Sequence, residues 1–65
     1  MHWNYRVLKF KHGYELCSVY YDERGEPSLH GPATAFGETQ EEIQDAIDKM
    51  LLGAAKPVIT KWEND

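Results

Sequence analysis

Cysteine, basic side chains and long apolar runs are all scarce in this chain. Among 65 residues there is one cysteine, Cys17, so no internal disulfide can form; a reducing compartment fits that usage. No apolar run approaches the roughly 18–20 residues of a membrane span. The opening MHWNYRVLKF has neither the apolar stretch nor the small-residue cleavage site of a signal peptide, and the expected location is cytoplasmic, with no membrane partner. Lys and Arg number 7 against 11 Asp and Glu, a net charge of −4. That sign disfavours direct nucleic-acid binding, because phosphate affinity needs Lys/Arg clusters and the largest here is Arg6, Lys9 and Lys11. The five glycines are dispersed, so no Gly-rich phosphate loop exists. His2, His12, His30 and Cys17 show no paired zinc-type spacing. Asp22, Glu23 and Glu26 share a loop that is too short and out of register for calcium. Neither a metal nor a cofactor is expected.

What is present describes one small folded domain. A hydrophobic content of 42% beside 28% charged residues excludes a disordered tail. A core of this size supplies about 3–5 kcal/mol of net stability, and a catalytic pocket would remove packing that such a core needs. No nucleophile with a base and an orienting group is visible either. Cys17, mid-strand beside Val19, reads as a small buried hydrophobe. The expectation is a non-enzymatic binding module, either a monomer or a weak homodimer.

The clearest local signal lies between Gly37 and Gly53. Thr39 and Glu42 form a capping box, in which the Thr hydroxyl accepts from the Glu42 N–H and the Glu42 carboxylate reaches back to the Thr39 N–H. Ile43, Ala46, Ile47, Met50 and Leu51 then follow the spacing of a helix with one buried stripe. Gly53 reads as the C-terminal cap, which gives a helix over about Gln40 to Leu52. Trp3 to Phe10 is β-rich, but its apolar positions change parity between Val7 and Leu8, so it carries a bulge or is covered on both faces. His12-Gly13 fits a hairpin turn, and Tyr14 to Tyr21 is the second strand. Alternation puts Tyr20 and Tyr21 on opposite faces, one in the core and one exposed. Asp22 to Pro27 has turn chemistry. A third strand, short, kinked or at the edge, lies within Ser28 to Phe36 because Gly31-Pro32 interrupts it. Pro57 to Trp62 is a short fourth strand or an ordered tail packed by Ile59 and Trp62. The fold class is α+β: a three-stranded antiparallel sheet in the order β-β-β-α, with the helix packed on one face and the other face left open.

The opening His2-Trp3-Asn4-Tyr5-Arg6-Val7, the block Val19-Tyr20-Tyr21-Asp22-Glu23 with Gly25 and Pro27, and the helix start Gly37-Glu38-Thr39 together resemble a family of small bacterial and phage proteins without an established activity. The element order and the Gly37, Thr39, Glu41, Glu42 spacing are also similar to HicB-type antitoxin domains. That resemblance implies a β-β-β-α-β partial RNase H-like fold and the neutralisation of a small RNA-cleaving toxin. The hydrophobic Pro-Gly segment usual before the helix of those domains is replaced here by Leu29-His30-Gly31-Pro32-Ala33.

Charge is unevenly distributed. Residues 1–14 carry net +3, residues 15–48 net −8 and residues 49–65 net +1. Glu41, Asp45 and Asp48 share one helix face, with Asp45 and Lys49 the one supporting pair. Two readings stand side by side. A small helix needs a solvated face, and acids supply one. Alternatively, the carboxylates imitate nucleic-acid phosphates and dock on a basic groove, a steered and salt-dependent encounter. The second predicts a phage-encoded, anti-CRISPR-like inhibitor of a nucleic-acid-handling protein such as a CRISPR surveillance subunit. Its contact residues are Glu38, Glu41, Glu42, Asp45, Asp48, Asp22, Glu23, Glu26 and Tyr21. An antitoxin-like adaptor using the open sheet face is the alternative.

Overall fold

The computed structural model describes residues 2–65. Three strands, β1 (His2–Phe10), β2 (Gly13–Tyr21) and β3 (Pro27–Pro32), precede one helix, α1 (Gln40–Ala54). The sheet is antiparallel in the order β1-β2-β3, as the sequence predicts. The β1–β2 register runs without interruption from His2 opposite Tyr21 to Phe10 opposite Gly13. The parity change in β1 is therefore not a bulge. It marks a strand that buries apolar residues on both sides.

Pairing and alternation assign the two faces. Trp3, Tyr5 and Val7 share one face with Tyr14, Leu16, Ser18, Tyr20 and Leu29. Leu8, Phe10, Cys17, Val19 and Tyr21 lie on the other and form the main buried cluster. The helix covers the first face, and the chain after it covers the second, where Ile59 and Trp62 pack on the cluster. The open sheet face expected from sequence is thus occupied. A strand apolar on both sides needs two covers, and a single helix can supply only one. The tail forms an isolated parallel bridge rather than a fourth strand: the Ile59 N–H donates to Val7 at 3.0 Å, and its carbonyl accepts from Lys9 at 3.1 Å. His30 meets Trp62 edge-on, with ring centres 4.6 Å apart.

The ends of the helix correct two local expectations. Thr39 is the N-cap and its hydroxyl accepts from the Glu42 N–H at 3.2 Å, but the Glu42 carboxylate accepts from the Glu38 N–H at 3.0 Å, one residue before the expected donor. The chain folds closely over the first turn there, since a Cβ on Gly37 would lie 2.5 Å from the Glu42 Cβ. Gly53 is not the C-cap. The helix runs through it to Ala54, with Ala55 capping. Gly53 is buried, and a Cβ on it would stand 2.1 Å from the Tyr5 carbonyl oxygen. Val7 and Lys9 turn their peptide groups to the outer edge of β1, toward Ile59, so by the two-residue repeat Tyr5 does too. The last turn of α1 therefore seals that edge at Tyr5 while the tail seals it at Val7 and Lys9, leaving less of β1 open to foreign strands.

The hairpin turns are simple. Lys11-His12 joins β1 to β2, and Gly13 at φ 134° absorbs the reversal in a backbone conformation that residues with a Cβ rarely adopt. At the other edge, β3 is bounded by Pro27 and Pro32 and slips register beside Tyr20 and Tyr21.

Candidate acidic interface

The helix positions its acids by its own geometry. Ile43, Ala46 and Met50 are half-buried and, with Gly53, define the side toward the sheet. Glu41, Asp45 and Asp48 fall about 160°, 120° and 180° around the helix from the centre of that side, at 100° per residue. All three are exposed, with rises of about 6 Å and 4.5 Å between successive members. The Gln44 side-chain amide donates to Asp48 at 3.1 Å. Asp45 and Lys49 form no ion pair: the sole ion pair among the described residues joins His12 and Glu15 at 3.3 Å. Among the described residues no lysine or arginine forms an ion pair with the row, although Lys49 lines the same groove as Asp45, and its acids stand on a helix anchored at both ends by a side-chain cap and a backbone contact.

The remaining predicted contacts separate into exposed and structural groups. Glu38 is exposed beside the cap. Glu42 is exposed too, but its carboxylate is engaged by the Glu38 N–H. In the β2–β3 loop the Asp22 carboxylate accepts from the Arg24 and Glu26 N–H groups at 2.9 and 3.0 Å, so this residue shapes the turn. Glu23 and Glu26 are left exposed. Tyr21 is no surface contact. It is 9% exposed, its hydroxyl donates to the Asn4 side-chain oxygen at 2.7 Å, and Arg6 donates to it at 3.3 Å. Its partner in alternation, Tyr20, is the more exposed of the two.

The two acidic groups lie at one end of the sheet. Glu42 and Asp45 line a groove of about 300 Å³ with Trp3, Tyr5 and Phe36. Asp22 and Glu23 line another with His2 and Tyr21. His2 and Trp3 are adjacent on β1, so the groups flank the same strand end from opposite faces. No hydrogen bond or ion pair among the described residues joins them. A further groove of about 320 Å³ beside Trp3 and Tyr5 is flanked by Lys49 and Lys56.

Cys17 is buried, and burial first, then the neighbouring Glu15 carboxylate, pushes its thiol up to about 11. A neutral buried thiol is a poor nucleophile. Among the described residues no three His, Cys, Asp or Glu side chains gather as metal ligands, and no helix is long and apolar enough to cross a membrane.

Two features escaped the sequence reading. Arg6 fastens β1 to the tail, donating to the Tyr21 hydroxyl and to the Pro57 carbonyl. Ile47 and Leu51, expected in the buried stripe, are exposed. The sheet accepts only the Ile43, Ala46, Met50, Gly53 line, and a stripe widened by Ile47 and Leu51 was the available signal. No family model, curated protein or solved structure matches this chain.

Proposed function

We propose that this protein is a non-enzymatic inhibitor that docks its acidic helix face on a basic, nucleic-acid-binding surface of a partner protein. The partner class is a nucleic-acid-handling complex such as a CRISPR surveillance subunit, and the setting a phage-infected bacterial cell. The observation that carries the reading is the exposed row Glu41, Asp45 and Asp48, ion-paired to no lysine or arginine among the described residues and held on an anchored helix. Carboxylates fixed in this way meet a cationic groove with little side-chain ordering beyond their own rotamers, and their field speeds the encounter. Glu38 flanks the row at the cap, and Glu23 and Glu26 add charge beside the strand end. Asp22 and Glu42 hold the two acidic segments in shape.

The antitoxin-like alternative docks through a free sheet face. It has less surface to use, because Ile59 and Trp62 lie on one face and the helix on the other. The two readings separate on salt and on sequence. Capture from a host lysate by the full chain, at low and high salt, identifies the partner by mass. The acidic-face reading expects capture to fail at high salt and in a variant with Glu41, Asp45 and Asp48 changed to Lys, while the circular dichroism spectrum stays unchanged. Capture that survives both treatments but fails on Tyr14→Ala or Tyr20→Ala favours the alternative.

A further inference from the structure

The fold leaves one large aromatic side chain without a packing role. Phe36 is 79% exposed, although the loop that carries it is held tightly against the first turn of α1 through Gly37 and Glu42. Phe36 lines the groove of about 300 Å³ with Trp3, Tyr5, Glu42, Asp45 and Lys49. The Trp3 and Tyr5 rings stand at 85° to each other with centres 5.1 Å apart, two walls of a corner. Tyr5 is fixed by burial, and its hydroxyl donates to the Thr34 carbonyl at 3.3 Å, two residues ahead of Phe36. Trp3 keeps nearly half its surface. Glu42, Asp45 and Lys49 lie within about 60° of one another around α1, on the flank beside the acidic row. The Glu42 Oε2 accepts from the Glu38 N–H at 3.0 Å. No hydrogen bond or ion pair among the described residues engages Glu42 Oε1 or the Asp45 carboxylate.

We propose that this groove takes an arginine side chain of the partner protein, its guanidinium against the aromatic rings and its N–H groups shared between Glu42 and Asp45. Aromatic faces attract a cation through the ring quadrupole, and the two carboxylates complement the same charge. Their positions three residues apart put the Cβ atoms roughly 5–6 Å from each other, a span that a planar fork of donors bridges. The guanidinium fits this lining best. It is weakly hydrated and stacks on rings while its N–H groups bond in its own plane, whereas a lysine ammonium is a compact, strongly hydrated point charge. A quaternary ammonium has no N–H to offer the carboxylates. No cation of this chain takes that place: the two cation–ring contacts among the described residues are Lys9 with Tyr14 and Lys61 with Trp62. Lys49 is the opposing charge. It lines both this groove and the neighbouring one, which also holds Lys56, and its ammonium repels an entering guanidinium. For the source of the arginine the proposal rests on the acidic-face reading, which it deepens: Asp45 belongs to the row and to the groove, so a cationic surface that meets the row brings its arginines to the groove.

Nα-acetyl-arginine amide, whose only charge is its guanidinium, is the probe. It is titrated into the isotope-labelled full chain and followed by NMR. The Trp3 indole N–H and the Phe36 amide should shift and saturate with a dissociation constant on the order of millimolar, while the Trp62 indole stays in place. Phe36→Ala and Asp45→Asn should each weaken binding by about five-fold or more; both residues are exposed, so the rest of the spectrum is retained. Lys49→Met should strengthen it by about two-fold or more. Nα-acetyl-lysine amide should bind several-fold more weakly than the arginine probe. No saturable shift at Trp3, equal affinity for the lysine probe, or indifference to Phe36→Ala and Asp45→Asn would each overturn the proposal. Salt-sensitive capture of the partner without probe binding refutes the groove alone. Probe binding beside capture that ignores salt upholds the groove and refutes the acidic-face reading alone.

Discussion

Replacing Gly53 with alanine sets local helix preference against the docking of α1. In a solvent-exposed helix the change stabilises by about 1 kcal/mol, because alanine loses less backbone freedom than glycine. Here the added Cβ would stand 2.1 Å from the Tyr5 carbonyl oxygen, 2.6 Å from its carbonyl carbon and 2.8 Å from its Cβ. All three atoms belong to a paired strand, so no flexible side chain can swing away. Relief requires the last turn of the helix to lift by roughly 1 Å or more, a displacement of the kind that costs about 1–3 kcal/mol, and sometimes more, in a well-packed site. Lifting also uncovers the Tyr5 carbonyl and loosens Met50 and Ala46. The net expectation is a loss of about 1–2 kcal/mol despite the better helix former. Against a total of about 3–5 kcal/mol that is a large fraction, and it lowers the melting temperature by roughly 10 °C. Urea unfolding followed by tryptophan fluorescence and by far-ultraviolet circular dichroism measures it. Lys49→Gly, exposed in the helix interior, is the control and should cost about 1 kcal/mol from propensity alone. A Gly53→Ala protein more stable than the parent would refute the close approach of α1 to β1.

Removing the N-cap hydroxyl by Thr39→Ala should cost about 1 kcal/mol, read from the shift of the urea midpoint at unchanged slope; an unchanged midpoint would mean the cap bond is not made in solution. The Cys17 thiol should resist iodoacetamide at pH 8 in the native protein and react readily in urea, as mass spectrometry will record. Its folded value of about 11 lies above the ordinary 9.0, so the unfolded chain ionises first as pH rises. This group's contribution is therefore constant below pH 9 and is lost between pH 9 and about 11. Native alkylation at the rate of a free thiol would contradict the burial.

The sequence carried what local chemistry decides. The Thr39–Glu42 cap, the spacing of Ile43, Ala46 and Met50, the turn at Asp22 to Pro27 and the alternation of the first two strands each depend on a few neighbouring residues. What it could not carry depended on distant neighbours. A glycine after an apolar helix suits a C-cap and a close backbone contact equally well, and only the position of Tyr5 decides which role Gly53 has. The parity change in β1 was compatible with a bulge or with two covered faces, and it named no cover for the second. Which of Tyr20 and Tyr21 was core therefore followed from where Ile59 and Trp62 returned. The acidic row was legible because charge on a helix surface depends on spacing alone. The roles of Asp22 and Glu42 as turn and cap acceptors rested on backbone N–H groups whose directions are set only once the chain is folded.

The central claim is that a fixed row of carboxylates is what the protein presents to its partner. Its most direct measurement is the affinity for the captured partner as a function of salt, for the parent and for the variant with Glu41, Asp45 and Asp48 reversed to Lys. The account predicts tight binding at about 50 mM salt that falls steeply by about 500 mM for the parent, and little binding at any salt for the variant. An affinity that ignores both salt and the three reversals would contradict it.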